Sequence, residues 1–374
     1  GNVTATLTLY DAAANPDSDQ ANITVAEHVD EEVLTPGEID TCGVIEIPGT
    51  YTLTQDLNAS AEGATTCFEI KASNVTLDGN GFTVTGDIEG AAEGIHVLGA
   101  SGTGALANVT IKDITLTQWE SALFAMNVRD SEYLNVESIS NVDAGLVIAG
   151  SSSSNNRVAE STFRDNEKGI FLREGVDVTT IEDNVFDSNH EVGLKVSGAA
   201  DTDLLNNHFT GHDGEKAIHF TGRSPRAVIE NNVVENSTGP EYVIQLGGES
   251  GDSVVADNVV RNNTLGGISA GPYDVDVLNN TVYDNGDVGV SVGDGGGTVE
   301  ANTVTGNRVG LLFDASSGVT VADNVVRNNL DADVMALDGA TDISVTGLVI
   351  DDAATTLGVG SPSIHSASWP RSFG

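Results

Sequence analysis

From about residue 68 onward the chain is written in short runs of Val, Ile, Leu, Phe and Thr, apolar and polar positions alternating, with Asn, Asp and Gly between the runs. A period of two reads as strand, and no stretch carries a 3.6-residue period with the start and stop signals of a helix. The pattern itself recurs. An Asn stands at 184, 207, 232, 258, 280, 302 and 324, at intervals of 23, 25, 26, 22, 22 and 22. Five positions beyond each comes a second small polar residue: Asn189, His212, Ser237, Asn263, Asn285, Asn307 and Asn329. Weaker copies run backward through Ser161 with Asn166 and Ser138 with Asp143. A small residue then opens a further strand at Gly145, Gly169, Gly193, Ala217, Val243, Gly267, Gly289 and Gly310.

A repeat of about 22 residues holding two or three short strands cannot bury its own apolar face, so each copy must stack on the next. Parallel stacking of this kind is right-handed almost without exception. The pattern therefore predicts an all-β fold, a single-stranded right-handed parallel β-helix. It has room for about twelve coils and a length of roughly 60 Å at the inter-strand spacing. Asn tolerates the left-handed backbone of a sharp corner, and stacked Asn side chains can bond from coil to coil. We expect Asn184, Asn207, Asn232, Asn258, Asn280, Asn302 and Asn324 to form a structural ladder.

The ends depart from the repeat. In residues 1–30, Val3, Ala5, Leu7 and Leu9 alternate with Thr4, Thr6 and Thr8, and the pattern resumes at Ala21, Ile23 and Val25. This predicts a β-hairpin, which is marginal alone and suited to completing a sheet in another copy or another surface protein. Residues 31–86 read as a cap with the first coils, 87–352 as the repeats, and 353–374 as a tail or linker. Because a rod end must be covered, we expect that tail to fold back or the natural chain to continue.

Charge narrows the function. The 56 acids against 15 Lys and Arg leave a formal charge of -41, which repels nucleic acid and anionic membrane. With 39% hydrophobic residues the chain is still globular, so the composition reads as an acidic skin of halophilic type that needs salt screening. No run approaches 18 apolar residues, so no membrane insertion is expected in this segment. Cys42 and Cys67 lack metal-ligand spacing and read as a disulfide, which points to an oxidising, extracellular or cell-surface location. Eight sequons, at Asn2, Asn22, Asn58, Asn74, Asn108, Asn236, Asn262 and Asn279, are glycosylation candidates.

Two resemblances attach to particular residues. The Thr-alternating hairpin resembles the last two strands of a polycystic-kidney-disease-type Ig-like domain. The stretch Ile47-Pro48-Gly49-Thr50-Tyr51-Thr52-Leu53, with Cys67-Phe68-Glu69-Ile70 and Val75-Thr76-Leu77-Asp78-Gly79-Asn80-Gly81, resembles the entry segment of NosD-type β-helix proteins. That family is one of carbohydrate-binding and sugar-hydrolase repeats and includes many haloarchaeal surface proteins. The resemblance implies a right-handed β-helix capped near Cys42 and Cys67, and no single activity.

The scarce cations mark the candidate site. Eight of the fifteen fall between Arg157 and Arg226, Arg173 among them, making this the least repulsive stretch for an anionic sugar. Aligned strands give an outward file of Phe171, Lys195, His219, Gln245, Ser269 and Ser291. Two residues before each strand opener runs a file of acids: Glu167, Glu191, Glu215, Glu241 and, after Leu265, Asp287. We therefore single out Arg173, Lys195, His219, Glu191, Glu215 and Glu241 as ligand-binding candidates for a polysaccharide. Acids one coil apart approach the spacing of a retaining glycosidase pair, and the file could alternatively hold calcium. Solvated acids stacked by the repeat are the plainer explanation of the file. No catalytic motif of pectic hydrolases appears, so no catalytic residue and no cofactor is assigned. Copper would need clustered His, Met or Cys, whereas Met126 and Met335 lie far apart and only His190, His208 and His212 fall near one another. The expectation is an exported structural or adhesive surface module, such as part of a filament. The competing one is a polysaccharide-binding or polysaccharide-processing protein.

Overall fold

The structure, a computed structural model, describes residues 32–350 apart from 63, 89–91, 240 and 338, together with strands at 4–7, 21–24, 356–357 and 364–366. It divides into two units, residues 1–33 and 34–374. In the first, Thr4–Leu7 pairs antiparallel with Ala21–Thr24, Thr4 opposite Thr24, as the alternating Thr pattern predicts. Asn2 and the hairpin turn lie outside the described residues.

The second unit is a right-handed parallel β-helix. One coil shows the plan, with strands Lys168–Arg173, Asp177–Glu182 and Val185–Asp187. First strands stack into a fourteen-stranded sheet, while second and third strands together make a twenty-eight-stranded one. Alternation sets the faces. Ile170, Leu172, Ile181 and Phe186 point inward and are fully buried, and like residues stack beneath like, with Phe163, Phe186 and Phe209 in a ring column at centroid spacings of 5.3 and 4.3 Å. The strand-opening glycines make room for this column: a Cβ on Gly193 would lie 2.7 Å from Cδ1 of Phe209 and 2.7 Å from the carbonyl oxygen of Ala217.

Each coil has three corners, and only one is constant. From Asp183 to Asn324 the corner between second and third strands is always two residues, a left-handed one followed by the ladder Asn. The left-handed residues are Asp183, Asn206, Asn231, Asp257, Asn279, Ala301 and Asp323, with φ between 53° and 57°. Each ladder Asn as far as Asn302 makes the same bonds, and Asn324 closes the file with its amide on the Val299 carbonyl. The backbone N–H of Asn184 donates to Oδ1 of Asn207 at 3.0 Å, and its side-chain amide donates to the Val158 carbonyl and to that same Oδ1, each at 3.0 Å. The pattern continues to Asn324, each amide buried.

A second buried ladder occupies the corner between third and first strands: Asn141, Asn166, Asn189, His212, Ser237, Asn263, Asn285, Asn307 and Asn329. It ends on buried Asp333, whose carboxylate accepts both N–H and amide of Asn329. Here the sequence reading needs correction. Asn141, not Asp143, belongs to this ladder, and Val136, not Ser138, faces Ser161, because Ser138 is paired with Phe163. The coil between them is 25 residues long, one residue longer at each of the two variable corners, so counting back 23 lands two residues off.

At the N-terminal end Cys42 and Cys67 are disulfide-bonded across the first coils, as their spacing suggested. One element was not foreseen. Ala59–Glu62 forms a four-residue helix, with Asn58 Oδ1 accepting the Ala61 N–H at 3.0 Å as its cap.

Candidate functional site

The site lies on the outward face of the first sheet. Register places Phe171 beside Lys195 and Lys195 beside His219, followed by Gln245, Ser269 and Ser291, the file predicted from the alignment. Upstream it continues through Val147 and Phe124 to His96. Outward-facing Ala144, Val147 and Ala149 are nevertheless buried, packed with Phe124 and Phe171 into a small outer apolar cluster. Arg173, one position along, sets its guanidinium over both rings, 5.7 Å from the Phe124 centroid and 5.6 Å from that of Phe171. Lys195 Nζ stands 5.8 Å from the Phe171 centroid. The arrangement therefore presents cations held on aromatic faces, in a protein otherwise dominated by acids.

The acidic file forms as expected in its backbone, since Glu191 N–H bonds to the Glu167 carbonyl and Glu215 N–H to that of Glu191. Its side chains, Glu215 apart, are paired with cations. Lys168, its side chain only 12% exposed, reaches Asp143, Glu167 and Glu191 at 2.8, 3.3 and 2.7 Å. Lys195 closes on the other Glu191 oxygen at 2.7 Å, and Lys216 lies 3.3 Å from Glu241. Glu215 is exposed. Burial opposes ionisation of Glu191, but the hydrogen bonds from Lys168 and Lys195 outweigh it and hold its carboxyl at about 2. A carboxyl in that state carries no proton to donate near neutrality, which unfits Glu191 for the acid half of a glycosidase pair. His219 is held below the ordinary imidazole value, first by burial and then by the charges of Lys216 and Lys195. It therefore offers a neutral ring beside two ammonium groups.

The structure thus brings Arg173, Lys195, His219 and Glu191 onto one face and leaves Glu215 and Glu241 on its rim. Sequence reading missed Lys168, Lys216 and Tyr242 as a second outward file, and missed the pairing of Lys168 with three acids. The available signal was their shared position as first residue of three first strands, Lys168–Arg173, Lys216–Thr221 and Tyr242–Leu246.

Of the sequons, Asn58, Asn74, Asn108, Asn236, Asn262 and Asn279 are exposed, all but Asn58 with left-handed φ. Asn58 is engaged as the helix cap, and Asn108 donates its amide to Asn74 Oδ1 at 3.0 Å.

The class these features define is a right-handed parallel β-helix, and comparison with known proteins agrees. A model for the right-handed β-helix region matches residues 177–330. The chain belongs to the family described as periplasmic copper-binding protein (NosD), whose model matches residues 58–246. No curated protein matches it. Among solved structures it resembles PfbA, a surface adhesin of Streptococcus pneumoniae, at 13% identity, covering 75% of this chain and 84% of that one with a TM-score of 0.58. Tailspike protein 3 of bacteriophage CBA120 gives 14% identity, 88% and 57% coverage and a TM-score of 0.52. The A-module of mannuronan C-5 epimerase AlgE6 from Azotobacter vinelandii gives 16% identity, 85% and 90% coverage and a TM-score of 0.50. At these identities the likeness is one of fold.

The copper named in the family description can be tested against the residues. His190 Nδ1 is 3.1 Å from Asp213, His208 Nε2 is 3.0 Å from Glu235, and His212 is buried with Nδ1 accepting the Asn189 N–H. Among the described residues no group of three His, Cys, Asp or Glu side chains converges to hold a metal ion. These residues do not fit a copper site, nor the calcium site considered for the acidic file.

Proposed function

We propose that this chain is an exported, salt-adapted surface module that holds an extended polysaccharide along the outward face of its first sheet, as an adhesive rather than a glycan-cleaving protein. The observation that carries the reading is the cluster of Arg173 and Lys195 on the rings of Phe124 and Phe171, in a chain of net charge -41. The neutralised acidic file supports binding over catalysis, because its central carboxylate is locked between two lysines. The disulfide and the family description both favour export to an oxidising compartment. The test is a glycan array in molar KCl with the full chain and with Lys195→Ala and His219→Ala. We expect uronate-bearing glycans to be lost from both variants; wild-type binding of such glycans that both variants keep would overturn the reading.

A second reading, self-assembly into a filament or attachment to another surface protein, rests on the hairpin. A two-stranded hairpin of this kind is suited to taking a further strand from another chain. Oligomers that grow with concentration and vanish when residues 1–33 are removed would favour it.

A further inference from the structure

We infer that the C-terminal half of the same face is a separate subsite for a neutral pyranose, built around Tyr242. The inference rests on the glycan-binding reading and adds a second sugar class to it. Five successive first strands, Tyr242–Leu246, Gly266–Ala270, Val288–Val292, Val309–Phe313 and Ala332–Ala336, contain one charged residue, Asp333, and that one is buried at the end of the second ladder. Their outward file is Gln245, Ser269, Ser291, Leu312 and Met335. Such a neutral surface in so acidic a chain runs on from the cationic half, with Gln245 two coils beyond Lys195 and Tyr242 one coil beyond Lys216, whose ammonium pairs with Glu241.

Tyr242 is laid flat on this surface. Its ring crosses Gly266 in the next coil, where a Cβ would collide with ring carbons Cδ1 and Cε1, and its hydroxyl lies toward Ser291 one coil further. Laid across the glycine, the ring stays only partly buried. Around it Gln245 and Ser269, both half-exposed, have no side-chain hydrogen bond among the described residues. A rigid aromatic plane beside an unengaged amide and hydroxyl is what the alternately apolar and hydroxylated faces of a pyranose require. Glu241, Asp287 and Asp314 lie close enough for their charges to act on the phenol. Glu241 is paired with Lys216 and Asp287 with Arg308, so Asp314 is the acid left to disfavour a uronate beside strands that carry no cation of their own, whereas Lys195 and Arg173 accept a carboxylate.

The test is calorimetry on the full chain in molar KCl with neutral hexasaccharides (β-glucan, mannan, xylan and galactan) and with uronate hexasaccharides. Tyr242→Ala should weaken a neutral hexasaccharide roughly tenfold and leave uronate binding within twofold. Lys195→Ala should do the reverse. Gly266→Val, which displaces the ring without removing it, should reproduce the loss seen in Tyr242→Ala. Unchanged circular dichroism and melting confirm the fold of each variant. Neutral binding that survives Tyr242→Ala, or uronate binding with no neutral binding, overturns the subsite and leaves the adhesive reading standing. A wild-type chain that binds neither class overturns both.

Discussion

Asn184 and Asn207 sit one coil apart, and a single side-chain oxygen of Asn207 accepts both the backbone N–H and the side-chain amide of Asn184, each at 3.0 Å. The left-handed residue before each ladder Asn turns the chain so sharply that this N–H faces the core and has no strand partner. Only a side chain from the next coil reaches it. The ladder therefore satisfies corners that the sheets leave open.

Replacing a central rung tests this. Asn232→Ala removes the acceptor of the Asn207 N–H and the donor to the Leu204 carbonyl, both in a fully buried corner. Orphaning buried groups costs about 1–3 kcal/mol each, so we expect about 3 kcal/mol of destabilisation in urea unfolding. Asn231→Gly, at the exposed left-handed position one residue earlier, should change stability by less than about 0.5 kcal/mol.

His212 is the weak rung of the second ladder. Its imidazole is pushed down to about 4 by burial, against the weaker pull of the Asn189 carbonyl and the charges of Asp187 and Asp213. Because the folded value lies below the unfolded one near 6.5, the unfolded chain takes up a proton first as pH falls. Stability is thus full above about 6.5 and falls by about 3 kcal/mol between there and about 4. His212→Asn should restore the common rung and flatten that part of the stability curve. Unfolding midpoints at pH 7, 6 and 5 check it.

Lys168 should matter more than its single charge suggests. Lys168→Met leaves Asp143, Glu167 and Glu191 adjacent without their shared ammonium. We expect a loss of about 2 kcal/mol at low ionic strength, much of it recovered in molar KCl. Arg223→Ala, with a side chain 83% exposed and only Glu249 as partner, should cost less than about 0.5 kcal/mol.

Gly193→Ala places a methyl against Phe209 and the Ala217 carbonyl with no room to accept it. We expect about 2 kcal/mol of destabilisation by thermal melting, from displacement of the Phe163, Phe186 and Phe209 column.

Much of this architecture was legible because in-register stacking turns sequence period into spatial file. Once Asn184 and Asn207 are aligned, Lys195 must stand beside His219, and it does. What stayed hidden was what the period does not encode. Ser138 was taken in place of Val136 and Asp143 in place of Asn141 because corner length varies and the count drifted by two residues. The pairing of Lys168 with Glu191 was missed because the partners belong to different coils and the lysine sits next in sequence to Glu167. Tyr242 was not singled out because nothing in its own strand shows that the glycine over which its ring lies belongs to the next.

The fixed two-residue corner also says where this molecule can change. From Asp183 onward every variation in coil length falls at the other two corners by register, as in the step from Thr221 to Val228, one residue longer than that from Ser197 to Asp203. New segments could be spliced there without disturbing either sheet, while the side bearing the Asn ladder acts as the spine that keeps successive storeys aligned.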